Sequence, residues 1–400
     1  MKTLLKNAEK LREKLVEHRR YLHEHAEIGF DLPQTCAYVN EVLRNLGYTP
    51  KKCGKAGVIC SVGDDESKPA VLLRADMDAL PIKENSGEAF ACKTGNMHAC
   101  GHDLHTAMLL GAAELLKKEE TRLKGGVKLL FQPAEEILAG AKDCLKNGVF
   151  GAQKPDYAVM LHVMTDLPMQ TGAAIISSAG VSAPAADFFR ITVQGKGCHG
   201  STPWKGVDAV SVGAHILLAL QTLSAREIPA SANAVLTVGS LQAGQAGNVI
   251  ADRAILQGTL RGFDEKIRAQ VKERIKEVVR MQAKVFRAAA KTEFTSGCPT
   301  LVNDGKISDF CYRTAKELLG EERVFTSEQL SGGEVGKTSG GSEDFAYITH
   351  EIPSVMIGLA AGEREKGYTY PLHHPKVRFD EDVLPIGAAL LTAFALGIKQ

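Results

Sequence analysis

Residues 96–118 read NMHACGHDLHTAMLLGAAELLKK, and the interpretation of the whole chain starts from this stretch. Its first thirteen residues hold four imidazole or thiol side chains, namely His98, Cys100, His102 and His105. That density is well above chance for a chain with 12 His and 9 Cys in 400 residues, and both groups bind borderline-soft divalent metals. The second half has the apolar spacing of a helix. The stretch predicts a metal-binding loop at a helix N-terminus, where open α/β sheets place their chemistry. A buried cysteine beside surface histidines is the alternative.

Length and composition narrow the class of protein. A chain of 400 residues favours two domains, and 44% hydrophobic with 24% charged residues is typical of globular proteins. The net charge of +1 gives no electrostatic reason to expect nucleic acid or an anionic membrane as a partner. The nine cysteines are odd in number and show no paired spacing. We therefore expect a cytoplasmic protein with neither a secretory signal nor a membrane span.

Two apolar strands run directly into acidic residues. The strand AVLLRA, which begins at Ala70, leads into Asp76 and Asp78, and the strand GVICSV before it is expected to form a hairpin with it through GDDESKP. In an extended chain the two acids point the same way, and carboxylates there can orient metal-binding histidines. A solvated turn is the alternative interpretation, and the functional one is favoured more for Asp76 than for Asp78.

The second acidic site follows the strand VKLLF. Here the sequence QPAEE places Glu135 and Glu136 after a proline, and adjacent carboxylates are costly to bury unless they are used. Neighbouring side chains diverge in an extended backbone, so one carboxylate can hold a metal while the other acts as a general base. A solvated glutamate pair at a helix start is the alternative.

A third strand, YAVMLHV, carries one polar group, His162, near its C-terminal end. A lone histidine in an apolar strand is more often a core residue than a ligand. Because it lies at the end of the same kind of strand as the acids, both interpretations stay open.

The composition changes after this strand, and ISSAGVSAPAAD has the small, turn-rich character of a linker. The pattern that follows is β-α-β-β-α-β, the split βαβ arrangement. We expect an α/β protein with a catalytic α/β/α domain around a mixed central sheet (residues 1–185 and 295–400). An inserted α+β, ferredoxin-like lid domain would span residues 186–294.

The inserted domain contains three further candidates. His199 lies in the glycine-rich loop GKGCHGSTP and could donate to an oxygen that becomes negative in a transition state. Asn248 and Arg261 lie near strand ends and could hold a substrate carboxylate, Arg261 through a bidentate pair. Structural roles are open for all three residues.

Six motifs occur in an order that resembles a known family: CGHDLH, FQPAEE, the strand-end His162, GCHGSTP, GGSEDF and LHHP. The family is the M20 metallopeptidases, and the resemblance is to its amidohydrolase branch of hippurate hydrolases, aminoacylases and indoleacetyl-amino-acid hydrolases. It extends from RRYLHEHAEIGF to the last helix. Two positions depart from the family pattern: Ala26 replaces a proline in the early motif, and Trp204 replaces a histidine after GCHGSTP, which leaves acyl-group specificity open.

The resemblance implies a site for two divalent metal ions whose ligands are Cys100, His102, Glu136, His162 and His373. It implies Glu135 as general base, Asp76 as the group that orients a ligand histidine or the metal pair, and His199 as a donor to the scissile carbonyl. His374 is the alternative to His373. The metal itself is left open among Mn, Zn, Co and Ni.

The activity that the resemblance implies is hydrolysis of the amide bond of a small N-acyl amino acid by a metal-activated water. A dipeptidase or exopeptidase acting on unblocked peptides is one alternative, and a metal-binding sensor without catalysis is another. The family's inserted domain often carries a dimer interface. A homodimer or higher homo-oligomer through that domain is therefore open alongside a monomer.

Overall fold

The computed structural model describes residues 2–63, 70–229, 232–330 and 341–397. It divides into two compact units, each with its own hydrophobic core. The first unit comprises Met1–Ser182, Val302–Thr338 and Asp344–Gln400, and the second comprises Ala183–Leu301 and Ser339–Glu343. The predicted inserted domain, residues 186–294, lies inside the second unit.

The helices are α1 (Lys2–Glu9), α2 (Arg12–Glu24), α3 (Pro33–Asn45), α4 (His102–Lys118), α5 (Gly140–Lys146), α6 (Ala209–Arg226), α7 (Glu265–Val285), α8 (Gly305–Leu319), α9 (Ser327–Leu330), α10 (Ala346–Thr349) and α11 (Val383–Leu396). The strands are β1 (Lys51–Cys53), β2 (Gly57–Val62), β3 (Ala70–Asp76), β4 (Gly126–Gln132), β5 (Tyr157–Met164), β6 (Ala174–Ile176), β7 (Gly180–Ala183), β8 (Ala185–Gln194), β9 (Cys198–His199), β10 (Ala234–Ala243), β11 (Val249–Ile250), β12 (Arg253–Gly262), β13 (Ala289–Cys298), β14 (Leu301–Asn303), β15 (Val324–Thr326) and β16 (Ser354–Ala360). Among the helices described here, none has the length and apolar character needed to cross a membrane.

The first unit is built on a mixed eight-stranded sheet with the order β1-β2-β4-β3-β5-β16-β6-β15. Its four central strands, β4, β3, β5 and β16, are parallel to one another. Every residue of β3 and β4 is buried, as expected for parallel strands that are covered on both faces. The apolar helix α11 packs on α4 and on the sheet. Because the four central strands are parallel, their carboxyl ends meet at one edge of the sheet.

The predicted hairpin between β2 and β3 is wrong. Strand β4 lies between them, antiparallel to β2 and parallel to β3. The reason is the connection from β3 through α4 to β4, because such a crossover places the second parallel strand beside the first. The turn that we expected to close the hairpin, residues 64–69, lies outside the described residues.

The second unit has a four-stranded antiparallel sheet with the order β10-β12-β8-β13. Helices α6 and α7 pack on it around a core that includes Ile191, Leu256 and Ile275. This order is that of the predicted ferredoxin-like arrangement, so the fold class is confirmed. The predicted boundary at residue 294 falls inside β13, and the predicted linker contains the short strand β7.

Candidate metal centre

The centre lies where the parallel strands of the first unit end. Strand β3 ends at Asp76, the turn after β4 carries Glu135 and Glu136, and β5 carries His162 two residues before its end. Helix α4 begins at His102. Four positions that are far apart along the chain are brought together by the sheet topology.

The thiol of Cys100 is at the middle of this group. Its Sγ lies 3.6 Å from Nε2 of His162 and 3.3 Å from Nε2 of His373. Glu136 is on the same side, with Oε1 3.6 Å from Nε2 of His373 and 3.8 Å from Nε2 of His102. The donor atoms form overlapping triplets whose members lie within 4.8 Å of one another: Cys100 with His102 and His162, Cys100 with Glu136 and His373, and His102 with Glu135 and Glu136.

Two of the histidines are oriented by backbone carbonyls. The Nδ1–H of His102 donates to the carbonyl of Asp78 at 2.8 Å, and that of His162 donates to the carbonyl of Val163 at 2.7 Å. A carbonyl only accepts, so Nδ1 carries the proton and Nε2 presents its lone pair to the centre. Burial lowers the pKa of His162 to about 3, so its imidazole is neutral near pH 7. Among the residues that the structure describes, the buried Nε2 of His102 has no hydrogen-bond partner.

The two histidines of the LHHP motif differ in position. His373 faces Cys100 and Glu136, whereas His374 stacks on Tyr370, with ring centroids 4.5 Å apart, and its Nδ1 accepts from the backbone N–H of Lys376. His373 has a left-handed backbone, with φ of 65°, which is rare for a residue with a side chain. The placement favours His373 over His374 as a ligand.

His105 is near the centre, but both of its ring nitrogens are engaged. Its Nδ1–H donates to Oδ1 of Asp76 at 2.6 Å, and its Nε2 accepts from the backbone N–H of Val163 at 2.8 Å. The other oxygen of Asp76 accepts from Arg74 at 2.7 Å and lies 3.7 Å from Nε2 of His102. Burial opposes ionisation of Asp76, but the Arg74 guanidinium and the hydrogen bond from His105 outweigh it and hold its pKa well below the usual range. This carboxylate is therefore ionised, and its hydrogen bond with His105 orients that ring.

Asp78 holds the glutamate pair in place. Its two carboxylate oxygens accept from the backbone N–H groups of Glu135 at 3.0 Å and of Glu136 at 3.2 Å. Ala134, just before the pair, has a left-handed backbone with φ of 56°. Such strain in a residue with a side chain costs about 1–3 kcal/mol and is concentrated at functional sites. The weaker of the two aspartate candidates is therefore a structural anchor of the acid pair.

The residues fit a pair of divalent ions. The thiol, imidazole and carboxylate donors are the mixed set that first-row divalent metals accept. The buried Nε2 of His102, which bonds no other described residue, is costly without an electrophile. Glu135 is buried beside the donors, and its Oε1 accepts from the backbone N–H of Asp344 at 3.4 Å. The arrangement can thus hold metal while a second carboxylate stays next to it.

The profile of Peptidase family M20/M25/M40 matches residues 72–397. The chain belongs to this family. It is 34% identical over 381 residues to an N-acetyl-L-cysteine deacetylase of Bacillus subtilis strain 168, a match that covers 94% of this chain and 86% of that protein. It is 35% identical over 388 residues to the IAA-amino acid hydrolase ILR1-like 2 of Arabidopsis thaliana, with 96% and 84% covered.

A solved structure shows the same architecture as this M20 chain. The Bacillus subtilis YXEP protein, described as a dinuclear metal binding peptidase from the M20 family, superposes with a TM-score of 0.76 at 30% identity. The alignment covers 97% of this chain and 98% of that one. The family and fold implied by the sequence motifs are therefore confirmed.

The other three predicted residues of this M20 chain lie in the second unit. The Nδ1 of His199 accepts from the backbone N–H of Ser201 at 3.1 Å, so its Nε2 carries the proton and can donate. Asn248 is exposed, and its backbone carbonyl accepts from Gly200 at 2.8 Å. Arg261 is half-buried and donates to Ser342 at 3.0 Å. Their roles toward a substrate stay predictions.

Sequence reasoning missed the polar group beneath the centre. The Oδ1 of Asp344 accepts from Arg74 at 3.0 Å and from Gln132 at 2.7 Å, and its Oδ2 accepts from the backbone N–H of Ala141 at 2.8 Å. The sequence does show a charged Arg74 within a buried strand and an acid in GGSEDF. Neither feature indicates which residue it contacts in the fold.

Gly101, between Cys100 and His102, has a left-handed backbone in crowded surroundings. Its φ is 85°, and a Cβ there would lie 2.3 Å from Cγ2 of Val163. We expect Gly101→Ala to lower the free energy of unfolding by about 3 kcal/mol, because backbone strain and overpacking add. Gly148→Ala is the matched control: φ is 77° but the Cβ meets no atom of the described residues within 4 Å, so a loss of about 1 kcal/mol is expected. Urea denaturation measures both, and equal losses would contradict the crowding argument.

Proposed function

We propose that this chain hydrolyses the amide bond of N-acyl amino acids with the help of two divalent metal ions. The observation that carries the proposal is the pairing of five donor side chains with an additional buried carboxylate, Glu135. The proposed ligands are Cys100, His102, Glu136, His162 and His373. The similarity to an N-acetyl-L-cysteine deacetylase and an IAA-amino acid hydrolase supports the substrate class.

The bound ions would supply Lewis acidity and lower the pKa of a water molecule from about 15.7 toward neutrality. Glu135 takes the proton as the water attacks the carbonyl carbon, and then delivers it to the nitrogen of the leaving amine. Asp78 fixes the backbone of Glu135 during both transfers. Asp76 keeps the histidines aligned through His105.

Three further residues would bind the substrate in this proposal. His199 would donate its Nε2–H to the oxygen that becomes negative, and Asn248 and Arg261 would hold the carboxylate of the amino acid. The proton on Nε2 of His199, fixed by the N–H of Ser201, supports the donor role.

We expect His199→Ala to lower kcat by about 100-fold or more without changing metal content, since removing one oxyanion donor typically has that effect. His199→Gln should retain more activity because its amide can replace the Nε2–H donor. Steady-state kinetics with metal analysis checks both variants. A kcat within a few-fold of wild type for His199→Ala would remove this residue from the mechanism.

The experiment that tests the function is a substrate panel on metal-free protein reloaded with Mn, Zn, Co or Ni in turn. N-acetyl-L-cysteine and other N-acetyl, N-benzoyl and indoleacetyl amino acids are compared with unblocked dipeptides. Faster cleavage of the blocked compounds supports the proposal, and preference for free dipeptides favours the dipeptidase alternative. Metal binding without any amide hydrolysis would favour a sensor. The panel also selects among the metals, of which Zn and Mn are our first candidates.

We also propose a cytoplasmic location. The nine cysteines are free thiols in the structure, which fits a reducing compartment.

We propose in addition that the chain self-associates through the inserted domain. The outer strand β10 exposes Val235 and Leu241, and an open apolar strand edge is a surface that can pair with a second copy. Light scattering of the purified protein measures the oligomeric state, and a monomer at all concentrations would contradict the association.

A further inference from the structure

The early motif RRYLHEH contributes a buried charged cluster that the proposed function does not use. Arg19 and His23, both on α2, contact Asp103 on α4, and all three side chains are almost fully buried. Nε of Arg19 and Nδ1 of His23 both donate to Oδ2 of Asp103, each at 2.8 Å. Charged side chains are rarely buried unless they are paired, and each unpaired one is costly. The three side chains are therefore buried as a mutually paired group, not as isolated charges.

His23 bonds a carboxylate with each ring nitrogen. Its Nδ1 donates to Asp103, and its Nε2 lies 3.1 Å from one oxygen of Glu84 and 3.2 Å from the other. Ionised carboxylates only accept, so both nitrogens of His23 carry protons and the ring bridges two anions. The ring also makes an edge contact with Phe90, at 5.4 Å between centroids.

Both ends of this bridge are attached to segments that carry proposed metal ligands. Asp103 directly follows His102 in the chain. On the other side, the backbone N–H of Asn85, next to Glu84, donates to the carbonyl of Pro375 at 2.7 Å.

The segment that follows Glu84 in the chain also bonds the Glu84 side chain. Glu84 accepts from the backbone N–H of Cys92 at 3.2 Å and from the hydroxyl of Ser86. The chain then continues to Ala99, whose carbonyl accepts from the backbone N–H of His373 at 2.9 Å.

We propose that His23 is a positioning residue of the metal centre, and that it sets metal affinity by fixing the segments of Cys100, His102 and His373 relative to one another. The inference rests on the ligand set of the proposed function. His23 donates to Asp103 and Glu84, and neither is a proposed ligand, so it acts only through the residues it holds. Groups that bond a ligand directly typically change metal affinity by about 10- to 100-fold, and His23 acts one residue further out, so the lower end of that range is expected.

A purely structural role makes a different prediction. A buried histidine that only supports the packing of α2 would, when replaced, lower stability without a specific effect on metal. His18 provides that comparison, because it lies on the same helix, is buried, and bonds Tyr38 through Nδ1 at 2.8 Å. It makes none of the contacts of the cluster described above.

The test measures Zn²⁺ affinity of metal-free protein by competition with a fluorescent chelator, together with unfolding of the metal-free forms. His23→Gln, which loses the donor to Asp103, is expected to raise the Zn²⁺ Kd by about 10-fold or more. His23→Asn, whose amide nitrogen replaces Nδ1 but cannot reach Glu84, should raise it by less, about 3- to 10-fold. His18→Gln should leave it unchanged. If His23→Gln does not fold, Glu84→Gln takes its place, with an expected rise of about 3- to 10-fold.

A Kd for His23→Gln within about twofold of wild type, or equal rises in His23→Gln and His18→Gln, would overturn the inference. Where Glu84→Gln is used, an unchanged Kd has the same meaning. Cys100→Ser is measured in parallel. If that variant binds Zn²⁺ as tightly as wild type, it is the proposed ligand set that fails rather than the role of His23.

Discussion

Glu135→Gln is expected to lower kcat by about 10³-fold while metal content stays that of the wild type, a loss of about 4 kcal/mol of transition-state stabilisation. Glutamine has the shape of glutamate but cannot take a proton from water. Its backbone N–H can still donate to Asp78, so the adjacent Glu136 is not displaced. The effect should therefore be confined to proton transfer.

Two measurements on the same preparation check this result. Metal analysis by mass spectrometry must give the wild-type content, and steady-state kinetics must give the reduced kcat with a little-changed KM. Near-normal turnover would remove Glu135 from the base role. Loss of metal together with activity would instead make Glu135 a ligand.

Cys100→Ser is expected to weaken metal binding by about 100-fold or more, above the 10- to 100-fold typical of losing an outer partner. Cys100 belongs to two of the donor triplets, so the loss of its thiol would affect both proposed ions. Burial raises the pKa of the Cys100 thiol, so the proton leaves only when an ion replaces it. A serine hydroxyl gives up its proton far less readily.

Chelator competition gives the affinity of this variant, and activity at low and at high added metal shows whether excess ion restores turnover. Cys36→Ser is the control, because its half-buried thiol donates to the carbonyl of Ala56 at 3.0 Å and serine can make the same bond. Unchanged affinity for Cys100→Ser, or equal effects in both variants, would contradict a shared thiolate ligand.

The candidate side chains at the strand ends could be predicted from the sequence because each lies at or just after the end of a recognisable apolar run. Asp76, Glu135 and His162 come at the ends of buried strands, and the carboxyl ends of parallel strands meet at one edge. Periodicity indicates these strands, and no long-range information is needed. The split βαβ pattern of the second unit could be recognised in the same local way.

The partners of these residues could not be predicted. The contact of His23 with Asp103 spans 80 residues, and that of Gln132 with Asp344 spans 212. Such pairs depend on which elements pack together, and no local spacing encodes that. The false hairpin between β2 and β3 has the same origin, because the crossover through α4 determines the strand neighbours. The sequence favoured a role for Asp78 less than for Asp76. The partners of Asp78 are backbone N–H groups, which every residue type except proline has, so the sequence does not indicate them.

Metal stoichiometry tests the central claim most directly. Protein stripped of metal, reloaded with Zn²⁺ or Mn²⁺, desalted and analysed by inductively coupled plasma mass spectrometry should hold two ions per chain. The double variant Cys100→Ser with Glu136→Gln, treated in the same way, should hold none. A wild-type protein that retains no ion, or a double variant that still retains two, would contradict a dinuclear centre formed by these side chains.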